Sequence, residues 1–181
     1  MSGEVAAHVW DKIDTVVDWP VPGVSFLDLS RVLSDGPAFT ATIDALAQMC
    51  DTPIDAVVGI EARGFPYAAA LAYRLGIGFV TLRKPGKLPR AVHAQQYELE
   101  YGSAALELHQ DALDHHRRVV VVDDVLATGG TAAAAVDLIR RTQAELVAVV
   151  VVVEIPLLQG RQRIEALGVP VIALLDSSAP R

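Results

Sequence analysis

One cysteine, Cys50, occurs in 181 residues, so no intrachain disulfide can form, and a secreted disulfide scaffold is excluded. No Cys/His set has zinc-ligand spacing, so a structural zinc module is excluded too. Positive charge is scarce: 15 Lys plus Arg against 22 Asp plus Glu leaves a net −7. Nucleic-acid binding needs a net basic face to displace counterions, so that class of partner is not expected. Any anionic ligand must therefore find a locally positive site. The longest apolar run, Leu146 to Val153, is far short of the ~20 residues a membrane helix needs. Met1-Ser2-Gly3-Glu4 carries an acid where a secretory signal carries Lys or Arg, and no apolar h-region follows. Neither a membrane span nor export is expected, and a reducing cytoplasm is the expected setting, with Cys50 a small core residue.

What is present suits a folded domain. Hydrophobic residues make up 52% of the chain and charged residues 20%, with mean hydropathy +0.36, enough apolar surface to offset chain entropy. The length fits one domain spanning 1–181, and no repeat, low-complexity tract or linker interrupts it. Strand-like and helix-like patterns alternate, which predicts βαβ units in an α/β fold with an open, mostly parallel sheet flanked by helices. Strands are predicted at 55–60, 78–83, 118–123, 146–153 and 169–174, apolar enough to be buried on both faces. Helices are predicted at 5–17, 37–50, 64–75, 129–141 and 157–167. Lys84-Pro-Gly-Lys-Leu-Pro-Arg90 can continue neither a helix nor a central strand and is read as an exposed loop. A hairpin around Gly102 is expected over 97–109.

Val119 to Thr131 is the most informative stretch: a buried strand, two acids, then a small-residue turn opening a helix. Ligands of open α/β sheets bind beyond the carboxyl ends of strands, where this turn lies. Ala127-Thr-Gly-Gly-Thr131 offers successive backbone N–H groups at a helix N-terminus, an arrangement that holds phosphate, and Thr128 and Thr131 add hydroxyls. Asp123 and Asp124 are acceptor-only when ionised and suit neutral hydroxyls or a metal rather than the phosphate. The Walker loop and the dinucleotide fingerprint are both excluded, because neither Gly-Lys-Ser/Thr nor three spaced glycines occur here. A plain helix cap is the alternative, but it gives no reason for paired acids at the end of an apolar strand.

This motif resembles the phosphoribosyl pyrophosphate (PRPP) motif of the type I phosphoribosyltransferases. Trp19-Pro-Val-Pro-Gly-Val-Ser-Phe-Leu-Asp28, Glu61-Ala-Arg-Gly-Phe65, Arg83-Lys-Pro-Gly-Lys-Leu-Pro89 and Tyr97-Glu-Leu-Glu-Tyr-Gly102 narrow the resemblance to the family's adenine-using members, and the match runs from Trp19 to Leu175. The resemblance implies a small N-terminal hood within 1–35, a flexible loop and hairpin, and purine salvage: adenine and PRPP giving AMP and pyrophosphate. It implies that Asp123 and Asp124 hold the ribose hydroxyls, and that Ala127, Thr128, Gly129, Gly130 and Thr131 hold the 5′-phosphate. Glu61, Ala62 and Arg63, in a turn with a non-proline cis peptide, bind pyrophosphate together with Arg83, Lys84 and Lys87 of a mobile lid.

Glu100, Arg63 and Lys84 are the catalytic residues so implied, with Glu100 approaching the purine N7 edge. Phe26 stacks on adenine, the backbone of Val24 and Leu27 reads its amino edge, and Leu126 touches the base. Magnesium is expected to arrive with PRPP, since no dedicated protein metal site is read in the chain, and a homodimer is the expected assembly. Two departures stand out. Leu27 replaces the usual Arg or Lys, and Gln95 and Gln96 stand where Ser is common. Other bases remain open on sequence grounds, namely hypoxanthine, guanine, xanthine and orotate. So does a non-catalytic PRPP sensor, although the chain before the core is too short for a DNA-binding module.

Overall fold

The structure is a computed structural model that describes residues 3–99 and 102–179, with side chains described outside 98–103. Its centre is a five-stranded parallel sheet in the order β4-β3-β7-β8-β9. These strands are β3 (Ala56–Ile60), β4 (Gly78–Leu82), β7 (Arg118–Leu126), β8 (Glu145–Glu154) and β9 (Val171–Asp176). The valine-rich runs of β3, β7 and β8 are explained by two apolar layers. Val57, Val120, Val122, Val150 and Val152 face one core, and Val58, Val119, Val121, Val149 and Val151 face the other. Successive strand side chains point to opposite faces, so a strand covered on both sides must be apolar throughout.

The first layer is closed by α1 (Gly3–Trp10), α3 (Gly36–Met49) and α4 (Gly64–Leu75), and Cys50 packs at its margin. The second is closed by α5 (Gly130–Ile139), α6 (Gly160–Glu165) and the hairpin β5 (Val92–Leu99)–β6 (Gly102–His109). α3 starts where Asp35 accepts the Ala38 N–H at 3.0 Å, with Pro37 following, a cap contributing about 1 kcal/mol. The hairpin is longer than expected, beginning at Val92 because Val92 pairs across to His109.

Three expectations need correction. The helix predicted for 5–17 stops at Trp10. Asp14–Val17 forms β1 and pairs antiparallel with β2 (Ser25–Asp28), Val16 opposite Phe26. Thr15-Val16-Val17 is β-branched, and the Pro-Val-Pro-Gly turn brings it a partner strand, which local helical periodicity does not register. The helix predicted for 157–167 is instead a 3-10 turn at Pro156–Leu158 followed by α6, because Gln159 takes a left-handed conformation (φ 58°) between them. Finally, β7 continues through both acids to Leu126, held by pairing with Val151, Val153 and Glu154 of β8. A short helix, α2 (Ser30–Ser34), was not expected.

α4 connects β3 to β4 on one face, whereas α5 connects β7 to β8 on the other, so the winding reverses between the neighbouring strands β3 and β7. A crevice opens where such a reversal occurs, beyond the carboxyl ends of those two strands.

Candidate active site

The turns that follow β3 and β7 meet in that crevice. After β7 the chain passes Ala127 and Thr128 to Gly129, whose φ of 75° is costly for any residue with a Cβ, and α5 begins at the next residue. Arg63, Asp123, Leu126 and Ala127 to Thr131 together line a cavity of about 240 Å³. Thr128 is exposed at its mouth and Leu126 is buried in its wall. The N–H groups at the start of α5 thus face space suited to an anion, at the positive end of the helix.

Asp123 and Asp124 are successive strand residues, so they serve different spaces. Asp123 borders the phosphate-loop cavity, whereas Asp124, 3% exposed, lines a smaller cavity with Asp28, Ser30 and Tyr67. Asp123 Oδ1 accepts the Asp124 N–H at 2.9 Å, and Asp124 Oδ1 accepts the Val125 N–H at 2.7 Å. Burial pushes the Asp123 carboxyl well up, and the charge of Asp124 adds to the rise. Asp124 is also raised by burial, against the opposing pull of Arg63.

After β3, the Glu61–Ala62 peptide is cis, one bond before the Ala62–Arg63 link. Gly64 lets the start of α4 lie against β7, since a Cβ there would stand 2.6 Å from the Val122 carbonyl oxygen and 3.0 Å from Asp123 Oδ1. Arg63 therefore projects across the crevice. Its Nε pairs with Asp124 Oδ2 at 2.9 Å, and its guanidinium stands 4.7 Å from the centre of the Phe26 ring. Trp19 packs edge-on against Phe26 at 4.3 Å, so the β1–β2 hood reaches the site through Phe26.

Glu61 Oε2 accepts from Arg83 Nε at 3.1 Å and from the Lys84 N–H at 2.8 Å, and the Arg83 contact holds this carboxyl below the usual range despite burial. Arg83 also makes a two-way backbone bridge with Glu107, whose carboxylate accepts the Gly86 N–H at 3.0 Å. The basic loop is thereby tied at its base. Lys84 and Lys87 extend from it into solvent, and Lys84 borders a cavity of about 400 Å³ with Gln96 of β5. Gln95 accepts from the Arg141 guanidinium, which also bonds the Ala94 carbonyl at 2.9 Å, fastening the hairpin beside α5.

Of the residues assigned to the base, Phe26 and Leu126 stand at the crevice. Leu27 is buried in the hood opposite Thr15. The Val24 N–H donates to the Val21 carbonyl, and the Val24 carbonyl accepts from Trp19, leaving that oxygen one lone pair for a ligand. Glu100 lies outside the described residues. Residues that the sequence reading passed over are Trp19, Asp28, Tyr67, Glu107 and Gly160. Tyr67 follows Arg63 by one helical turn, a spacing that places both on one side of α4. The other four are linked to the site only by tertiary contact.

A parallel sheet with an acid pair on β7, a small-residue phosphate turn after it, and an Arg-bearing turn across the switch point defines a type I phosphoribosyltransferase. Residues 31–172 match the phosphoribosyl transferase domain model. The adenine phosphoribosyltransferase of Xanthomonas axonopodis pv. citri is 51% identical over 93% of this chain and 91% of its own. The Rhodothermus marinus adenine phosphoribosyltransferase structure superposes with TM-score 0.90 at 41% identity, covering 97% of this chain and 99% of that one. The Saccharomyces cerevisiae enzyme, solved with adenine and an imino-altritol bisphosphate, gives 0.90 at 35% identity over 96% and 100%. The chain belongs to the adenine phosphoribosyltransferase family.

Proposed function

We propose that the chain, acting over 1–181 as one catalytic unit with 1–35 as its hood, transfers the phosphoribosyl group of PRPP to N9 of adenine. The N9–C1′ bond forms as the bond from C1′ to the pyrophosphate oxygen breaks. N9 gives up its proton, and AMP and pyrophosphate leave. One observation carries this reading: the phosphate turn after β7 faces Arg63 across the crevice, with the acid pair between them. The turn 127–131 takes the 5′-phosphate, Asp123 and Asp124 accept the ribose hydroxyls, and Arg63 swings to the pyrophosphate, whose oxygens its fork matches. Arg83, Lys84 and Lys87 complete the leaving-group cradle, with Glu61 and Ala62 shaping it.

Adenine then stacks on Phe26 beside Leu126, with backbone groups of Val24 and Leu27 at its amino edge and Glu100 at N7. Closure of 84–90 over the site excludes water, which would otherwise capture the oxocarbenium-like C1′. Magnesium would arrive with PRPP, held by the substrate rather than by a dedicated protein cage, and would supply neutralisation of leaving-group charge. A second copy of the chain is the proposed partner, and exposed Tyr73, Val17 and Leu157 are apolar surface such a copy could cover. A reducing cytoplasm fits a lone Cys50 whose thiol burial pushes up to about 11.

Assaying adenine, hypoxanthine, guanine, xanthine and orotate with PRPP and magnesium tests the whole reading. Adenine should be the preferred base, and Asp124→Asn should lose PRPP binding while staying folded. Preference for another base overturns the choice of substrate, and undiminished PRPP binding by Asp124→Asn overturns the ribose assignment.

A further inference from the structure

Beside Asp124 lies a small, partly open space to which the phosphoribosyl transfer described above assigns no part. Asp28, Leu29, Ser30, Leu33, Arg63, Tyr67 and Asp124 line about 70 Å³ there, room for a water molecule or two. Tyr67 is fully buried on α4, its ring edge-on to Phe39 at 5.9 Å, yet its hydroxyl has no hydrogen-bond partner among the described residues. The charges whose fields reach that hydroxyl belong to Asp124, Arg63 and Asp28, three residues that line the cavity. A buried hydroxyl without a partner is costly, and two carboxylates border the space in front of this one.

The carboxylates have capacity to accept. Asp124 uses Oδ1 for the Val125 N–H and Oδ2 for Arg63, leaving lone pairs on both. Asp28 uses Oδ1 for the Ser30 N–H at 2.9 Å and the Ser30 hydroxyl at 2.6 Å. We infer that Tyr67 is a positioning residue for Asp124: its hydroxyl donates to a water in this cavity, and the water bridges to the Asp124 and Asp28 carboxylates. This inference rests on the reading of Asp124 as a ribose acceptor. Its chemical content concerns the moment when PRPP draws Arg63 away. Asp124 then loses its guanidinium, and a carboxylate at 3% exposure needs another donor to remain an ionised acceptor for a ribose hydroxyl. The water held by Tyr67 supplies that donor from the cavity shared with Asp28, and it links the hood, through Asp28, to the proposed ribose grip on β7.

Tyr67→Phe removes the hydroxyl and keeps the ring. In the full chain with magnesium, the Kd for PRPP by calorimetry and the KM for PRPP should rise about 2- to 10-fold, the yield of one neutral hydrogen bond, with kcat within about twofold and no gain in Tm. A crystal structure with AMP bound should show a water about 2.5–3.0 Å from Tyr67 Oη and within reach of Asp124. Unchanged affinity overturns the inference, most directly if Tm rises, because the hydroxyl is then only an unsatisfied buried group. Falls in Tm, kcat and affinity together assign a packing role and overturn it as well. Asp124→Asn measured in parallel separates the two claims. If that variant binds PRPP normally, the ribose assignment is at fault, and the bridging water in the crystal then decides the role of Tyr67 by itself.

Discussion

Gly160, the first residue of α6, lies against Gly129 of the phosphate turn with no side chain between them. A Cβ on Gly129 would stand 3.0 Å from the Gly160 carbonyl oxygen, and one on Gly160 would stand 2.2 Å from the Ala127 carbonyl oxygen and 3.1 Å from the Gly129 nitrogen. The turn proposed to hold the 5′-phosphate is therefore shaped from behind by a residue some thirty positions away in the chain. Arg161 anchors that support, pairing with Glu154 at 2.8 Å and bonding the Val171 carbonyl at 2.7 Å.

Gly160→Ala should displace the Ala127–Gly129 backbone, since the obstructing atoms are main chain and cannot rotate away. Overpacking of this kind costs about 1–3 kcal/mol. Affinity for AMP should fall by roughly tenfold or more, because a shift of the turn misaims several N–H donors at once. Calorimetric titration with AMP measures it, and wild-type affinity would show that the turn adapts.

Arg63 covers the face of Phe26 and neutralises Asp124 in one pose. Adenine alone should therefore bind poorly, and its affinity should improve when pyrophosphate or PRPP draws the guanidinium away. Arg63→Ala should have opposite effects on two measurements: tighter binding of adenine to the enzyme alone, and a fall in kcat/KM of about 100-fold or more from lost leaving-group stabilisation. Binding isotherms that show weaker adenine binding by the variant would remove the gating role.

For Asp123 the sign follows from burial. A carboxyl raised in the folded state above its unfolded value favours folding below the unfolded value, and that contribution is lost as pH climbs through the raised one. At pH 7 the acid therefore destabilises the unliganded fold. Asp123→Asn should raise Tm by a few degrees at pH 7, with the gain shrinking as pH falls toward the unfolded value. Thermal scans across that range decide the matter, and PRPP affinity should drop in the same variant.

Glu61 fixes the base of the basic loop through Arg83 Nε and the Lys84 N–H. Glu61→Gln keeps the shape but removes the charge from both contacts. The expected result is a several-fold higher KM for PRPP with little change in Tm, the Arg83 partner being partly solvent-exposed and its pairing correspondingly weak. Steady-state kinetics at two ionic strengths give the check, since added salt should narrow the gap between variant and wild type.

The inner strands β3 and β8 and the first half of β7 were legible because burial on both faces demands apolar residues in succession, a pattern visible in the chain itself; the edge strands β4 and β9 are covered less completely, Phe79 being exposed. Legible too was the turn at 127–131 opening α5, whose small residues and preceding acids are contiguous. The helix predicted at 5–17 overran into β1 because the β-branched run Thr15-Val16-Val17 becomes a strand only through pairing with β2, a partner that lies outside the segment. Similarly, Gln159 in a left-handed conformation divides the region predicted as one helix at 157–167, with Gly160 beside it as the only local sign of the break.

The order of residues thus determined the alternation of strand and helix, the acid pair and its adjoining turn, since each depends on neighbours a few positions apart. Only the tertiary structure decided that Asp123 and Asp124 border different cavities, that Arg63 bridges Asp124 to Phe26, that Tyr67 lines a cavity with Asp124, and that Gly160 packs against the Ala127–Gly129 backbone. These relationships arise where strands β3 and β7 meet and elements from both sides of the sheet converge. Close packing at such a junction is set by atoms far apart in the chain, and local sequence preference carries no record of it.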